Sequence, residues 1–119
     1  MGELWIALGL VAALGALAAI WSLEPATLLI VGFWVTLAGL GFGIPTGVVY
    51  HVALRRALLA CGRLPARWWL RPTELHGDIP APDRTRVLAW CGAGAAGFLV
   101  TLVGCALIAL SAWRELQSR

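Results

Sequence analysis

The sequence predicts an all-α membrane protein with three transmembrane helices, forming a single domain over residues 1–119. Hydrophobic residues make up 61% of the chain and charged residues 13%, against roughly 25% charged in soluble domains. Three stretches carry no charge: Leu4–Trp21, Pro25–Val49 and Val87–Trp113. Each is long enough to cross a bilayer, which takes about 20 apolar residues. They are apolar on every side, which excludes a small soluble bundle.

The first span is predicted over residues 3–23 and the second over residues 26–50. Only Ser22–Pro25 separates them, and Pro25 suits the first turn of a helix. So short a connection predicts an antiparallel hairpin. The first span also carries a face of small residues: Gly9, Ala12, Ala13, Ala16 and Ala19.

The second span and the third, predicted over residues 87–113, carry small residues at helical spacing. In lipid such faces let helix backbones approach closely. Within one chain they can pack on each other or face a partner, and the sequence leaves both open. Pro45 predicts a kink in the second helix. Trp34 is expected to fill a gap between helices, the alternative being contact with a quinone, pigment or lipid tail. The predicted packing residues are Gly32, Thr36, Gly39, Gly43, Gly47, Gly97, Thr101 and Gly104.

Residues 51–86 are predicted to form an ordered loop that begins with an amphipathic helix, an extension of the second span. Gly62 is placed to end that helix. Trp68 and Trp69 distinguish the loop from disordered linkers, which lack aromatic residues. Asp83 is expected to cap the third helix.

The distribution of arginine predicts how the chain is threaded. Seven of the nine arginines lie in the loop, against three acidic residues, whereas the turn after the first span holds only Glu24. Arginine excess marks cytoplasmic loops, so we expect the N-terminus and the loop in the cytoplasm and the C-terminus outside. Residue usage rich in Ala, Gly, Leu and Arg and free of lysine indicates a bacterium, hence the inner membrane.

The loop is also the predicted contact surface. Clustered arginine binds anionic lipid headgroups, and arginine with tryptophan is typical of protein–protein interfaces. Nucleic acid is excluded as a partner because these arginines are spread through an apolar, proline-rich segment. The predicted lipid or partner contacts are Arg55, Arg56, Arg63, Arg67, Trp68, Trp69 and Arg71.

His51 is a candidate ligand for a tetrapyrrole metal. Gly47 precedes it by one helical turn, and the missing side chain leaves room for a macrocycle. Over these five residues the chain resembles the Ala-x-x-x-His element of bacterial light-harvesting helices, with Gly in place of Ala, which implies bacteriochlorophyll or haem as cofactor. The alternative is an interfacial histidine bonded to headgroups or backbone. A metal site built with Cys61 and His76 is excluded because zinc needs closely paired ligands.

No ionisable residue lies at mid-membrane in any predicted span, although ion-coupled transport requires one. No nucleophile–base pair or phosphate-binding loop is present either, so we expect neither a transporter nor an enzyme. The leading hypothesis is a non-catalytic accessory subunit of a larger bioenergetic, photosynthetic, transport or secretion complex, without a cofactor. The alternatives are a pigment- or haem-binding subunit using His51, and a homo-oligomeric scaffold or pore assembled through Gly39, Gly43 and Gly47.

Overall fold

A computed structural model describes residues 2–119 and shows three long helices. Helix α1 covers Gly2–Ser22, α2 covers Pro25–Ala60 and α3 covers Ala81–Gln117; a short 3₁₀ helix, Pro72–Asp78, lies before α3. No strand occurs within the described residues. All three long helices are long and apolar enough to cross a membrane. The predicted all-α class with three candidate spans is therefore confirmed.

Helices α2 and α3 extend beyond their predicted spans. In each helix the charged residues lie only near an end, outside a long uncharged stretch. From Pro25 to Arg55 the α2 helix has no charged residue over a rise of about 45 Å, the thickness of a bilayer with its headgroup regions. From Arg86 to Arg114 the α3 helix is uncharged over about 42 Å. The two helices therefore fit one bilayer side by side, with their ends outside the hydrocarbon.

Helices α2 and α3 form an antiparallel pair in close backbone contact. At Gly39 an added Cβ would lie 2.5 Å from the Thr101 backbone nitrogen, and at Gly43 it would lie 3.2 Å from the Gly97 carbonyl carbon. The Thr101 hydroxyl donates to the carbonyl of Gly97 in its own helix, so it adds no unsatisfied polar group. The further close approaches of this interface join Gly32 to Gly104 and Ile108, and Gly104 to Thr36.

The α2 helix continues without interruption through Pro45. The proline ring replaces one backbone donor inside the helix. Next to it, the Thr46 hydroxyl donates to the Phe42 carbonyl at 2.8 Å. The residues around the proline thus remain within one helix of 36 residues.

Helix α1 does not pack along α2, so the predicted antiparallel hairpin is wrong. None of the residues Gly2–Ser22 is buried, and added Cβ atoms at Gly9 and Gly15 would meet nothing within 4 Å. The physical reason is that α3 already occupies the glycine face of α2. Trp34 does not fill a gap between the helices of this chain either: its indole is 62% exposed and contacts Phe33, its neighbour in sequence.

The end of α3 holds the turn between α1 and α2. The Ser111 hydroxyl donates to the Pro25 carbonyl at 2.6 Å, and the Arg114 guanidinium donates to the Leu23 carbonyl at 2.6 Å. The same guanidinium lies 5.6 Å from the centre of the Trp21 ring. The Leu23 carbonyl follows the last turn of α1, where carbonyls lack partners within the helix, so the Arg114 bond fixes that end of α1, whereas the Ser111 bond holds the first residue of α2. We call Trp21, Leu23, Ser111 and Arg114 the outer clasp.

Candidate functional site at the loop end of the helix pair

The loop folds back on α2 and forms the main hydrophobic core of the described chain. The last three turns of α2 bury one face against the residues that lead into α3. Leu64, Trp68, Leu75 and Cys91 are partly buried around this core. The core thus packs the loop against the last turns of α2. Its buried members are Tyr50, Ala53, Leu54, Ala57, Leu58, Ile79 and Val87.

The chain leaves α2 through a glycine turn. Gly62 has φ +67°, a conformation that favours glycine. The backbone amide of Gly62 donates to the Leu59 carbonyl at 3.1 Å and that of Arg63 donates to the Leu58 carbonyl at 3.0 Å. This is the Schellman arrangement, which satisfies the last carbonyls of a helix. It turns the loop back toward the preceding turns of α2, which carry the core residues from Tyr50 to Leu58.

A polar contact inside the core joins α2 to the 3₁₀ helix. The hydroxyl of Tyr50 and Nε2 of His76 are at hydrogen-bond distance, 2.8 Å, and their rings meet edge to face. Tyr50 is only 6% exposed, so its hydroxyl depends on this partner. Buried polar groups without partners are costly. His76 therefore serves the fold of the loop.

His51 lies one position after Tyr50 and faces outward. Its Nδ1 is 2.8 Å from the Gly47 carbonyl oxygen; because a carbonyl only accepts, Nδ1 carries the proton and donates. In the neutral imidazole Nε2 then has the free lone pair. The Trp68 ring lies 6.1 Å from the imidazole, centre to centre. His51 is thus a fixed, half-exposed acceptor beside an indole.

An open cavity of about 510 Å³ follows the outer face of α2 at this point. We call it the His51 groove. Gly47 forms part of its floor, and an added Cβ there would meet nothing within 4 Å. The lining is aliphatic apart from the imidazole, the indole and one guanidinium. The residues around the groove are Gly43, Ile44, Gly47, Val48, His51, Val52, Arg55 and Trp68.

The loop arginines divide into two groups. Arg63 pairs with Asp78 at 3.5 Å and Arg71 with Glu74 at 3.3 Å, and Arg84 donates to the Gly77 and Ile79 carbonyls at 3.3 Å. Exposed pairs of this kind contribute little stability. The ion pairs found among residues 2–119 involve none of the following: Arg55, Arg56, Arg67 and Arg86.

The two loop tryptophans face different surroundings. Trp68 is half-buried between the core and the His51 groove. Trp69 is 60% exposed and the adjacent Leu70 is 55% exposed. An exposed indole next to unpaired arginine suits the membrane–water interface, where tryptophan is enriched. The apolar edge of the loop thus stands free next to the membrane end of α2.

The structure brings together some of the residues proposed from sequence and separates others. Arg55, Trp68 and His51 share one groove, whereas Gly32, Thr36, Gly39, Thr101 and Gly104 lie within the helix pair, away from it. Within residues 2–119 no group of three or more His, Cys, Asp or Glu side chains is placed to hold a metal ion. Sequence reasoning missed the Tyr50–His76 contact and the outer clasp, whose members lie far apart in the chain.

No family model, curated protein or solved structure matches this chain. The arrangement itself offers three chemical functions at one place: a cationic guanidinium, a fixed imidazole acceptor and an aliphatic groove. Such a combination can bind an amphipathic molecule.

Proposed function

We propose that this protein is a small, non-catalytic accessory subunit of a larger complex in the bacterial inner membrane, and that α1 docks it there. One observation carries the proposal: α1 is a candidate span of 21 residues without a buried residue, attached to the rest of the chain only near its last turn. The glycine faces of α2 and α3 are already in contact with each other. Helix α1 is therefore a whole candidate span left free for a partner.

The small-residue face of α1 explains how it would bind. Burial of apolar surface does not drive helix association in lipid, whereas close packing at small residues does. Gly9 and Ala16 lie on one side of α1, and Ala7 and Ala18 lie on the opposite side, by the 100° turn per residue. All four are exposed in this structure. A partner helix would pack on the first side.

The proposed orientation places the loop in the cytoplasm and the outer clasp on the opposite side. The arginine excess of the loop supports this threading. The long α2 helix passes Pro45, where we propose a kink, reaches the headgroup region near Arg55 and ends in the loop core. Unpaired arginine and exposed Trp69 then anchor the loop on anionic lipid or a neighbouring subunit.

Native mass spectrometry of the tagged chain, gently extracted from its own membranes, tests the proposal. We expect larger subunits in fixed ratio to the chain. The variant with Gly9→Leu and Ala16→Leu should lose them, because the added side chains hold a partner helix away. The matched variant with Ala7→Leu and Ala18→Leu adds similar bulk to the other side of α1 and should keep them.

Two results would contradict the proposal. Recovery of the wild-type chain as a free monomer under mild extraction would remove the accessory role. Equal loss of partners from both double variants would show that α1 is needed only for insertion or length.

A homo-oligomer assembled through Gly39, Gly43 and Gly47 has less support. Backbone atoms of α3 lie against the first two of these glycines, so that face is not free for a second copy. The same mass spectra would reveal a defined homo-oligomer if another surface forms one.

A further inference from the structure

We propose that the His51 groove binds one anionic phospholipid, with its phosphate on Arg55 and an acyl chain along Gly47 and Gly43. This deepens the lipid anchoring proposed above and rests on the loop end lying at a membrane surface. It does not depend on the docking of α1.

The shape of the groove fits a single extended chain. Gly43, Gly47, His51 and Arg55 follow at intervals of four residues and line the groove as it winds along α2, over a rise of about 18 Å. Gly47 leaves open space where another residue would place its side chain, since an added Cβ there meets nothing within 4 Å, and the Gly43 backbone continues the lining of the groove. Ile44, Val48 and Val52 form its aliphatic border, so the groove offers a hydrocarbon tail contact along much of one leaflet.

The one charged residue of the groove, Arg55, lies at its headgroup end, as a phospholipid with its tail in the hydrocarbon requires. Arg55 stands at the end nearest the loop, about 45 Å from Pro25, which is the depth of the headgroup region. No acidic side chain pairs with it among the described residues. Arg56, the next residue, carries the same charge but does not line the groove. An anionic headgroup would supply the counter-charge that Arg55 lacks.

His51 adds a second polar contact between the phosphate and the tail. Its Nδ1 proton is used by the Gly47 carbonyl, so Nε2 can accept a hydrogen bond. A headgroup or glycerol hydroxyl is a suitable donor. The imidazole lies one turn below Arg55, at the border between headgroups and hydrocarbon.

A lipid fits these observations better than a tetrapyrrole. The indole of Trp68 stands 6.1 Å from the imidazole, so a macrocycle centred on His51 would have to share that side with it. One acyl chain needs only a narrow groove. The single cation at one end and the aliphatic border along the rest also match a lipid.

Native mass spectrometry with lipid titration tests the site on the full chain in neutral detergent. Phosphatidylglycerol and phosphatidylcholine with identical acyl chains serve as probes. We expect phosphatidylglycerol to bind more tightly. Arg55→Gln should weaken phosphatidylglycerol binding about fivefold, the equivalent of ~1 kcal/mol for one arginine near an anionic surface. Arg56→Gln, the matched control, should change it less than about twofold.

A second variant tests the tail. Gly47→Leu adds a side chain at the groove floor, where its Cβ meets nothing within 4 Å, and it should weaken the binding of both lipids. Equal effects of Arg55→Gln and Arg56→Gln would show diffuse charge attraction and overturn the site. Unchanged binding in Gly47→Leu would overturn it as well. Bound mass and visible absorption of a tetrapyrrole, lost in His51→Leu, would assign the groove to a pigment instead.

Discussion

The close contact between α2 and α3 predicts that a single methyl group at Gly39 separates the two helices. In Gly39→Ala the new Cβ would lie 2.5 Å from the Thr101 nitrogen and 2.9 Å from its Cα, whereas ordinary contact begins at 3.4 Å. Both obstructing atoms belong to backbone, so no side-chain rotation relieves the overlap. The helices must move apart by about 1 Å at this level.

The magnitude follows from the packing lost by that movement. A radial gap of about 0.5–1 Å removes roughly a quarter to a half of the dispersion attraction across a contact. Overpacking a close-packed site costs about 1–3 kcal/mol. We expect Gly39→Ala toward the upper part of this range, because a rigid shift of α3 also opens the contacts of Gly32 and Gly43.

The matched control is Gly41→Ala, two residues along the same helix. An added Cβ at Gly41 meets nothing within 4 Å, so the same chemical change should not destabilise the pair and should stabilise α2 by up to about 1 kcal/mol through helix propensity. Unfolding in mixed micelles of dodecyl maltoside and SDS provides the assay. It is followed by energy transfer between dyes on cysteines introduced at Thr27 and Ala112, in a variant whose native cysteines are replaced. Equal stabilities of the two glycine variants would refute the close approach at Gly39.

Three further predictions concern the loop, the outer clasp and the threading. Tyr50→Phe leaves His76 without its partner and should destabilise the loop by about 1 kcal/mol, seen as faster hydrogen exchange in the 3₁₀ helix, with little change in the transmembrane parts. Arg114→Gln removes the bond to the Leu23 carbonyl and should broaden the distance distribution between spin labels on α1 and α3; an unchanged distribution would show that Arg114 does not hold α1. Cys61 is exposed in the loop, so a membrane-impermeant maleimide should label it in inside-out vesicles and not in right-side-out ones. The reverse pattern would place the loop outside the cytoplasm.

The number and type of helices could be predicted because hydropathy alone decides them. A stretch of about 20 uncharged apolar residues has few structures open to it other than a spanning helix. The extension of α2 to Ala60 and its termination by the Gly62 turn were also predicted. The start of α3 was not: it begins at Ala81, because the loop core extends α3 beyond its predicted span. The expected cap at Asp83 is wrong for that reason, since α3 begins two residues earlier and Asp83 lies in its first turn.

The partners of each helix face could not be predicted, since all three spans carry small residues. Glycine spacing shows that a face permits close approach, and the identity of the approaching helix depends on the whole chain. The pairing of Gly39 with Thr101, and the isolation of Gly9 on α1, became visible only in three dimensions. The contact between Tyr50 and His76 spans 26 positions of sequence, and no local pattern indicates it.

We expect the stability of the chain and its binding to partner subunits to depend on two different structural units. Helices α2 and α3 with the loop core form one unit whose contacts are internal, whereas α1 is joined to it near the outer clasp alone. In lipid an unpacked apolar helix carries no hydrophobic penalty, because acyl chains solvate it as well as a neighbouring helix does. The stability of the α2–α3 pair should therefore be independent of substitutions at Gly9 and Ala16. A loss of partner subunits from that variant, with unchanged unfolding of the pair, would assign binding to α1 directly. A parallel loss of both would mean that α1 packs on the pair in the membrane, and the docking proposal would fail.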